Sequence, residues 1–189
     1  MNALRRSFPS LVAVATIIPL LLGALCLSSF GGDKGEVHAA DDKELIKITK
    51  KRIPMDPRLL TLCVGPGAVV GPHDAAEVDI YVNPVVAEYR RKNPTAFAYP
   101  LGSKFVKKKY PRVGAKDPDI ATVMLKTAET GKVTDWEFSM VRLKDGKRLS
   151  HSGRVSCADC HERYKSRGYI SRESEEAMQQ FLADLKTDE

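Results

Sequence analysis

The sequence predicts an α+β protein built on a mainly antiparallel β-sheet with flanking helices. Three observations predict it. The 189 residues are 43% hydrophobic and 29% charged, an ordinary globular composition that excludes a disordered tail, a collagen-like polymer and a polytopic membrane protein. Short runs of alternating or β-branched residues recur through the middle of the chain between Gly, Pro and Asn turn signals. A helical stripe closes the chain, and strands followed by helix favour an antiparallel sheet with helices attached.

The first 39 residues read as an export signal. Arg5 and Arg6 precede an uncharged apolar run from Leu11 to Leu27, and Val37-His38-Ala39 offers a cleavage site after Ala39. The alternative is an uncleaved membrane anchor, although the run is at the short edge of a membrane span and Pro19 interrupts it. Cys26 follows Leu25, too large for a lipobox, and Arg5-Arg6-Ser7-Phe8 is a weak twin-arginine match. Each route leads out of the cytoplasm, to the periplasm or beyond. Cleavage leaves about 150 residues, enough for one core.

Residues 40–77 form an N-terminal segment, with a short helix expected over Lys43–Lys51 and irregular chain from Pro54 through Gly65-Pro66-Gly67 to Gly71-Pro72. The main domain spans 78–189. Its elements are a strand over Val78–Val82 running into a turn at Asn83-Pro84, a helix over Val85–Lys92, and strands over Ser103–Tyr110 and Ala121–Thr127. A fourth strand has Trp136, Phe138 and Met140 on one face and Glu137 and Ser139 on the other. Asp145-Gly146 marks a tight turn. Ser171 is placed to cap a last helix whose Met178, Phe181, Leu182 and Leu185 form one apolar stripe.

The net charge of +6 is modest, and scattered lysines on an exported chain do not suggest a nucleic-acid partner. Lys104, Lys107, Lys108, Lys109 and Arg112 read first as a solvated strand and turn, and second as a docking patch for an acidic redox partner.

Cys157-Ala158-Asp159-Cys160-His161 is the attachment signature of a c-type haem. Two thiols three residues apart sit on one turn and can both add to haem vinyl groups, while the next residue offers its imidazole to the iron. Cys157, Cys160 and His161 are therefore the cofactor residues, with His161 as the proximal ligand through Nε2. A zinc site needs a fourth ligand and usually a second close pair, and a redox pair expects a thioredoxin-like βαβ context. The sequence nominates no sixth ligand. Met178 belongs to the apolar stripe, His73 and His151 fall in loops, and His38 leaves with the signal. An open distal site implies binding or turnover of a small molecule. A four-helix-bundle cytochrome would show heptads before the motif, where this chain shows strands. Cys63 is left over, a buried thiol or a bridge between two subunits.

From Asp79 to Arg172 the chain resembles the cytochrome P-460 family. The resemblance rests on Ile80-Tyr81-Val82-Asn83-Pro84, Tyr99-Pro100-Leu101-Gly102-Ser103-Lys104-Phe105-Val106-Lys107, Val123-Met124-Leu125-Lys126, Trp136-Glu137-Phe138, and the haem motif followed by Gly168-Tyr169-Ile170-Ser171-Arg172. It implies a mostly antiparallel β fold, one haem c with five-coordinate iron, frequent homodimers and small nitrogen substrates such as hydroxylamine or nitric oxide. In hydroxylamine-oxidising members a lysine matching Lys107 is joined to a haem meso carbon. The alternative is that Lys107 simply faces water. Those members also place a carboxylate over the distal iron face, where this chain has Thr122, and an acidic residue after the motif, where it has Gly168. The related cytochromes c′ of β type lack the lysine bond and bind nitric oxide in an aromatic pocket, for which Phe97, Tyr99 and Phe105 are the candidates here. A simple electron carrier is the remaining alternative.

Overall fold

The computed structural model describes residues 44–56, 75–149 and 156–187. The export segment, the irregular stretch from Pro57 to Pro72, Cys63, His73 and His151 lie outside these residues. Seven strands form one antiparallel sheet: β1 (Ile46–Lys47), β2 (Ile53–Pro54), β3 (Glu77–Val82), β4 (Lys104–Tyr110), β5 (Ile120–Lys126), β6 (Trp136–Arg142) and β7 (Arg148–Leu149). Their order is β1-β3-β4-β5-β6-β7, with β2 also pairing β3. Among the described residues, three α-helices, α1 (Pro84–Lys92), α2 (Cys157–Glu162) and α3 (Arg172–Thr187), accompany the sheet. Among the described residues, no helix is long and apolar enough to cross a membrane.

The expected helix over Lys43–Lys51 is overturned. Ile46 pairs with Val82 and Lys47 with Tyr81, and the Ile48 N–H donates to Ile80 O. The side chains alternate as on a strand. Lys47 and Thr49 reach Asp79 on one face, while Ile46 and Ile48 join the main core on the other. β-branched residues at this spacing fit a pleated edge better than a nine-residue helix that must nucleate alone.

Asn83-Pro84 does more than end β3. The Asn83 side chain accepts from Val86 N at 3.3 Å, capping α1, and Pro84 takes the first helical position, where no N–H is needed. β4 contributes both sheet faces. Phe105 packs in the main core with Val78, Ile80, Trp136, Ile170, Met178 and Leu182. Val106, one residue on, joins Ala121, Val123 and Val141 in a second cluster. Alternation therefore turns Lys107 and Lys109 with Phe105 and turns Lys108 with Val106. The solvated-strand reading fails for Lys107, Lys108 and Lys109, while Arg112 in the turn is exposed as expected. Lys109 is 1% exposed, Lys107 is half-buried, and the Lys108 ammonium lies 4.7 Å from the Tyr81 ring centroid.

The last helix keeps most of its stripe. Met178 and Leu182 are buried and Phe181 packs against the same core, but Leu185 is 39% exposed.

A buried polar knot ties α1 to α3. Arg90 donates to both Glu175 carboxylate oxygens, at 2.7 and 2.8 Å, and to the Tyr99 hydroxyl at 2.7 Å. Burial pushes the Tyr99 phenol up to about 12, against the opposing pull of the Arg90 charge. The sign follows directly. Below pH 10 the phenol is protonated in both states. Between pH 10 and about 12 only the unfolded chain releases the proton, so stability falls as pH rises. Denaturation curves over this range should show the loss, and Tyr99→Phe should remove that component. An identical alkaline slope in the variant would contradict it.

Candidate functional site

The haem-type motif occupies a helix that its own neighbours start. Ser156 Oγ accepts from Asp159 N at 3.1 Å, and the Asp159 carboxylate accepts from Ser156 N at 3.1 Å. This reciprocal cap begins α2 at Cys157 and places Cys160 one turn on, with His161 following. The Ser156 hydroxyl and backbone N–H hold the Asp159 carboxyl below its ordinary value. The spacing Ser156-x-x-Asp159 is visible in the sequence, although the motif it introduces draws the eye first. Burial raises the Cys157 thiol, and the Lys109 charge pulls the other way.

His161 is set by the chain that follows it. The Tyr169 carbonyl oxygen can only accept, so the 2.6 Å contact makes His161 Nδ1 the donor and leaves the Nε2 lone pair available. Burial pushes the imidazole down to about 4, and the nearby Lys107 charge acts in the same direction, so the ring is neutral at pH 7. The Phe138 ring lies 4.9 Å away and the Tyr164 ring 5.8 Å away, edge-on. To deliver that carbonyl, the chain takes two successive left-handed residues, Gly168 at φ 61° and Tyr169 at φ 69°.

A cavity of about 360 Å³ opens beside His161. Its apolar wall is Ile53, Pro54 and Met55 from β2 and the residue after it, with Val78 from β3. Its chemical groups are Cys160, His161, Tyr164, Lys107, Ser171, Glu173 and Asp56. Lys107 thus turns inward from β4, and its Nζ donates to Ser171 Oγ at 2.8 Å. Ser171 in turn lies 3.0 Å from Ser174 Oγ. Burial lowers the Lys107 amine below its usual range, with the Glu173 charge opposing. Of the four sequence candidates, Lys107, Cys160 and His161 line this cavity, and Cys157 stands one turn away on α2.

Several expectations are redirected. Thr122 pairs with Lys107 across β4 and β5 but is not part of the cavity wall, and its hydroxyl is no base near neutral pH. Among the described residues, the carboxylates of the cavity are Glu173 and Asp56, which sequence reasoning missed. Glu173 had a signal in its place on the first turn of the final helix. The aromatic trio does not line the His161 cavity. Phe105 and Tyr99 are buried in the main core. Phe97 and Tyr99 instead border a second cavity of about 510 Å³, which lies on the side of Gly168 and Tyr169. The rings beside His161 are Phe138 and Tyr164. Met178 is 0% exposed within the core, where the stripe puts it.

The donor set suits an iron porphyrin. A neutral imidazole with Nδ1 committed and Nε2 available is the state a haem iron takes, and two thiols one turn apart suit paired thioethers. A zinc site would need more ligands, and among the described residues no three His, Cys, Asp or Glu side chains group to hold a metal ion. No protein-family model matches the chain, and no curated protein matches it.

Proposed function

We propose that the chain is an exported, monohaem c-type cytochrome of the cytochrome P-460 type, binding or redox-converting small nitrogen species such as hydroxylamine or nitric oxide. The observation that carries this reading is the state of His161. Its ring is neutral, held through Nδ1, and borders a cavity shared with Cys160 and Lys107. Cys157 and Cys160 would hold the haem as thioethers, and His161 Nε2 would ligate its iron. When bound, that haem supplies a redox-active iron that takes a small ligand and passes electrons to a partner protein.

The residues around the cavity have separable tasks. Ile53, Pro54, Met55 and Val78 keep bulk water from one wall. Glu173 and Asp56 are the groups able to accept protons released by a nitrogen substrate, the work that Thr122 cannot do. Ser171 holds the Lys107 amine inside the wall, and burial favours its uncharged, nucleophilic form. Lys107 is accordingly the candidate for a covalent link to the haem edge, in which a carbon–nitrogen bond would replace a meso C–H and an amine N–H and an external two-electron oxidant would take up the two electrons during maturation.

A second reading, a non-catalytic gas-binding cytochrome of c′ β type, is favoured by the apolar wall of Ile53, Pro54, Met55 and Val78, which offers a bound gas no proton acceptor. Hydroxylamine turnover with an electron acceptor separates the two. A low-spin spectrum in the ligand-free protein would instead indicate a simple electron carrier.

The test is the purified exported protein. Its alkaline pyridine spectrum should be that of a haem with both vinyl groups converted to thioethers, and a colourless protein with both thiols free overturns the proposal. Peptide mapping should find Lys107 modified, and the main ferrous absorption band should lie well to the red of an ordinary haem c. An unmodified Lys107 in holoprotein removes the cross-link while leaving the haem assignment standing.

A further inference from the structure

We propose that Tyr169 is the positioning residue of this site, a strut that carries the rigidity of the β5–β6 loop to the imidazole of His161. The proposal rests on the reading of His161 as the iron ligand.

Tyr169 has an unusual conformation for its type. An L-residue with a large side chain avoids the left-handed region, yet Tyr169 sits there at φ 69°, directly after Gly168 at φ 61°. A turn of this kind persists only when its surroundings over-determine it. Two hydrogen bonds do so. The Tyr169 N–H donates to Tyr164 O at 2.9 Å, closing the turn from within. The phenol donates to Gly131 O at 2.8 Å, tying the turn to a loop 38 residues earlier. The Tyr169 residue is 6% exposed, while Gly131 at the other end of that bond lies at the surface.

The far anchor is itself braced. Asp135 accepts from Thr130 Oγ1 at 2.5 Å, from Gly131 N at 2.7 Å and from Lys132 N at 3.3 Å. One carboxylate therefore organises the loop that presents Gly131 O. The chain of contacts is continuous: Asp135 fixes residues 130–132, Gly131 O fixes the phenol, the phenol fixes the turn, and Tyr169 O fixes His161 Nδ1 at 2.6 Å.

The chemical consequence lies at His161. A close, well-held acceptor on Nδ1–H shifts electron density toward Nε2 and makes it a stronger donor, which favours the oxidised metal. Loosening the strut weakens that donation without removing any ligand.

The experiment compares wild type, Tyr169→Phe and Asp135→Asn as purified holoproteins. Tyr169→Phe keeps the ring and deletes only the bond to Gly131. Asp135→Asn loosens the loop from its far end, and so tests the strut without touching the turn. Both variants should show a reduction potential above wild type and an iron–histidine stretching band at lower frequency. A variant that loses thermal stability yet keeps both spectroscopic values of wild type overturns the proposal, because Tyr169 would then be structural only. A wild-type chain without haem overturns the proposed function instead. The strut is then read from the ring-nitrogen NMR shifts of His161, where a fixed Nδ1–H tautomer in wild type that averages in Tyr169→Phe supports it. Identical shifts in the two proteins overturn it.

Discussion

Gly168→Ala is expected to lower the stability of the folded protein by about 2–5 kcal/mol, the sum of a left-handed backbone penalty and an overpacking penalty. The position has φ 61°, where a side chain is strained whatever the space around it. Here there is also no space. An added Cβ would meet Phe97 O at 2.2 Å, the Phe97 carbonyl carbon at 3.2 Å and Tyr99 Cδ2 at 3.0 Å. Two of the three neighbours are backbone, and Tyr99 is locked by Arg90, so neither side can give way cheaply. Chemical denaturation should report the loss as a lower midpoint. The same substitution should disturb His161, since Gly168 immediately precedes the carbonyl that holds Nδ1. A variant within about 0.5 kcal/mol of wild type, the range of an ordinary surface change, would contradict the geometry. The fit also gives a physical reason why Gly168 stands where the resemblance implies an acid. No carboxylate side chain can occupy that point against the Phe97 carbonyl.

Much of the sheet was legible because alternation survives in sequence. Trp136 and Phe138 join the main core while Glu137 pairs with Arg148, as the period-two pattern requires. The strands at 46–54 were not, because β1 and β2 have two residues each and take their pairing from β3 rather than from any pattern of their own. Lysines mislead for a related reason. A run of three reads as a charged surface, but a strand sends neighbours to opposite faces, and so Lys107 borders a cavity while Lys108 lies over Tyr81. The Cys157, Cys160 and His161 motif was legible from spacing alone. What holds His161 was not, because a backbone carbonyl leaves no side-chain signature. Only a glycine before an aromatic residue hints at the turn that aims it.

Glu175→Ala is the other substitution expected to be severe, at about 3–5 kcal/mol, because it strands a charge where water cannot reach it. The Arg90 side chain is 0% exposed and that of Glu175 12%. Besides Glu175 and Tyr99, the guanidinium donates to Pro94 O at 2.6 Å, and Gln179 donates to Glu175 Oε1 at 2.7 Å. Removing the carboxylate leaves a cation in low dielectric with only neutral acceptors, and the thermal midpoint should fall by on the order of 10 °C. The double variant Arg90→Met with Glu175→Leu removes both charges and should recover most of the loss, since a buried pair often gives way to packed apolar groups at little cost. A double variant as unstable as the single one would mean that shape, rather than a stranded charge, sets the penalty. The effect should also reach the cavity. Glu175 stands one turn along α3 from Ser171, whose hydroxyl seats Lys107, and Glu173 lies between them. A first turn released from α1 would loosen that seat, so Glu175→Ala should lower the fraction of Lys107 that peptide mapping finds joined to the haem, and the double variant should restore it.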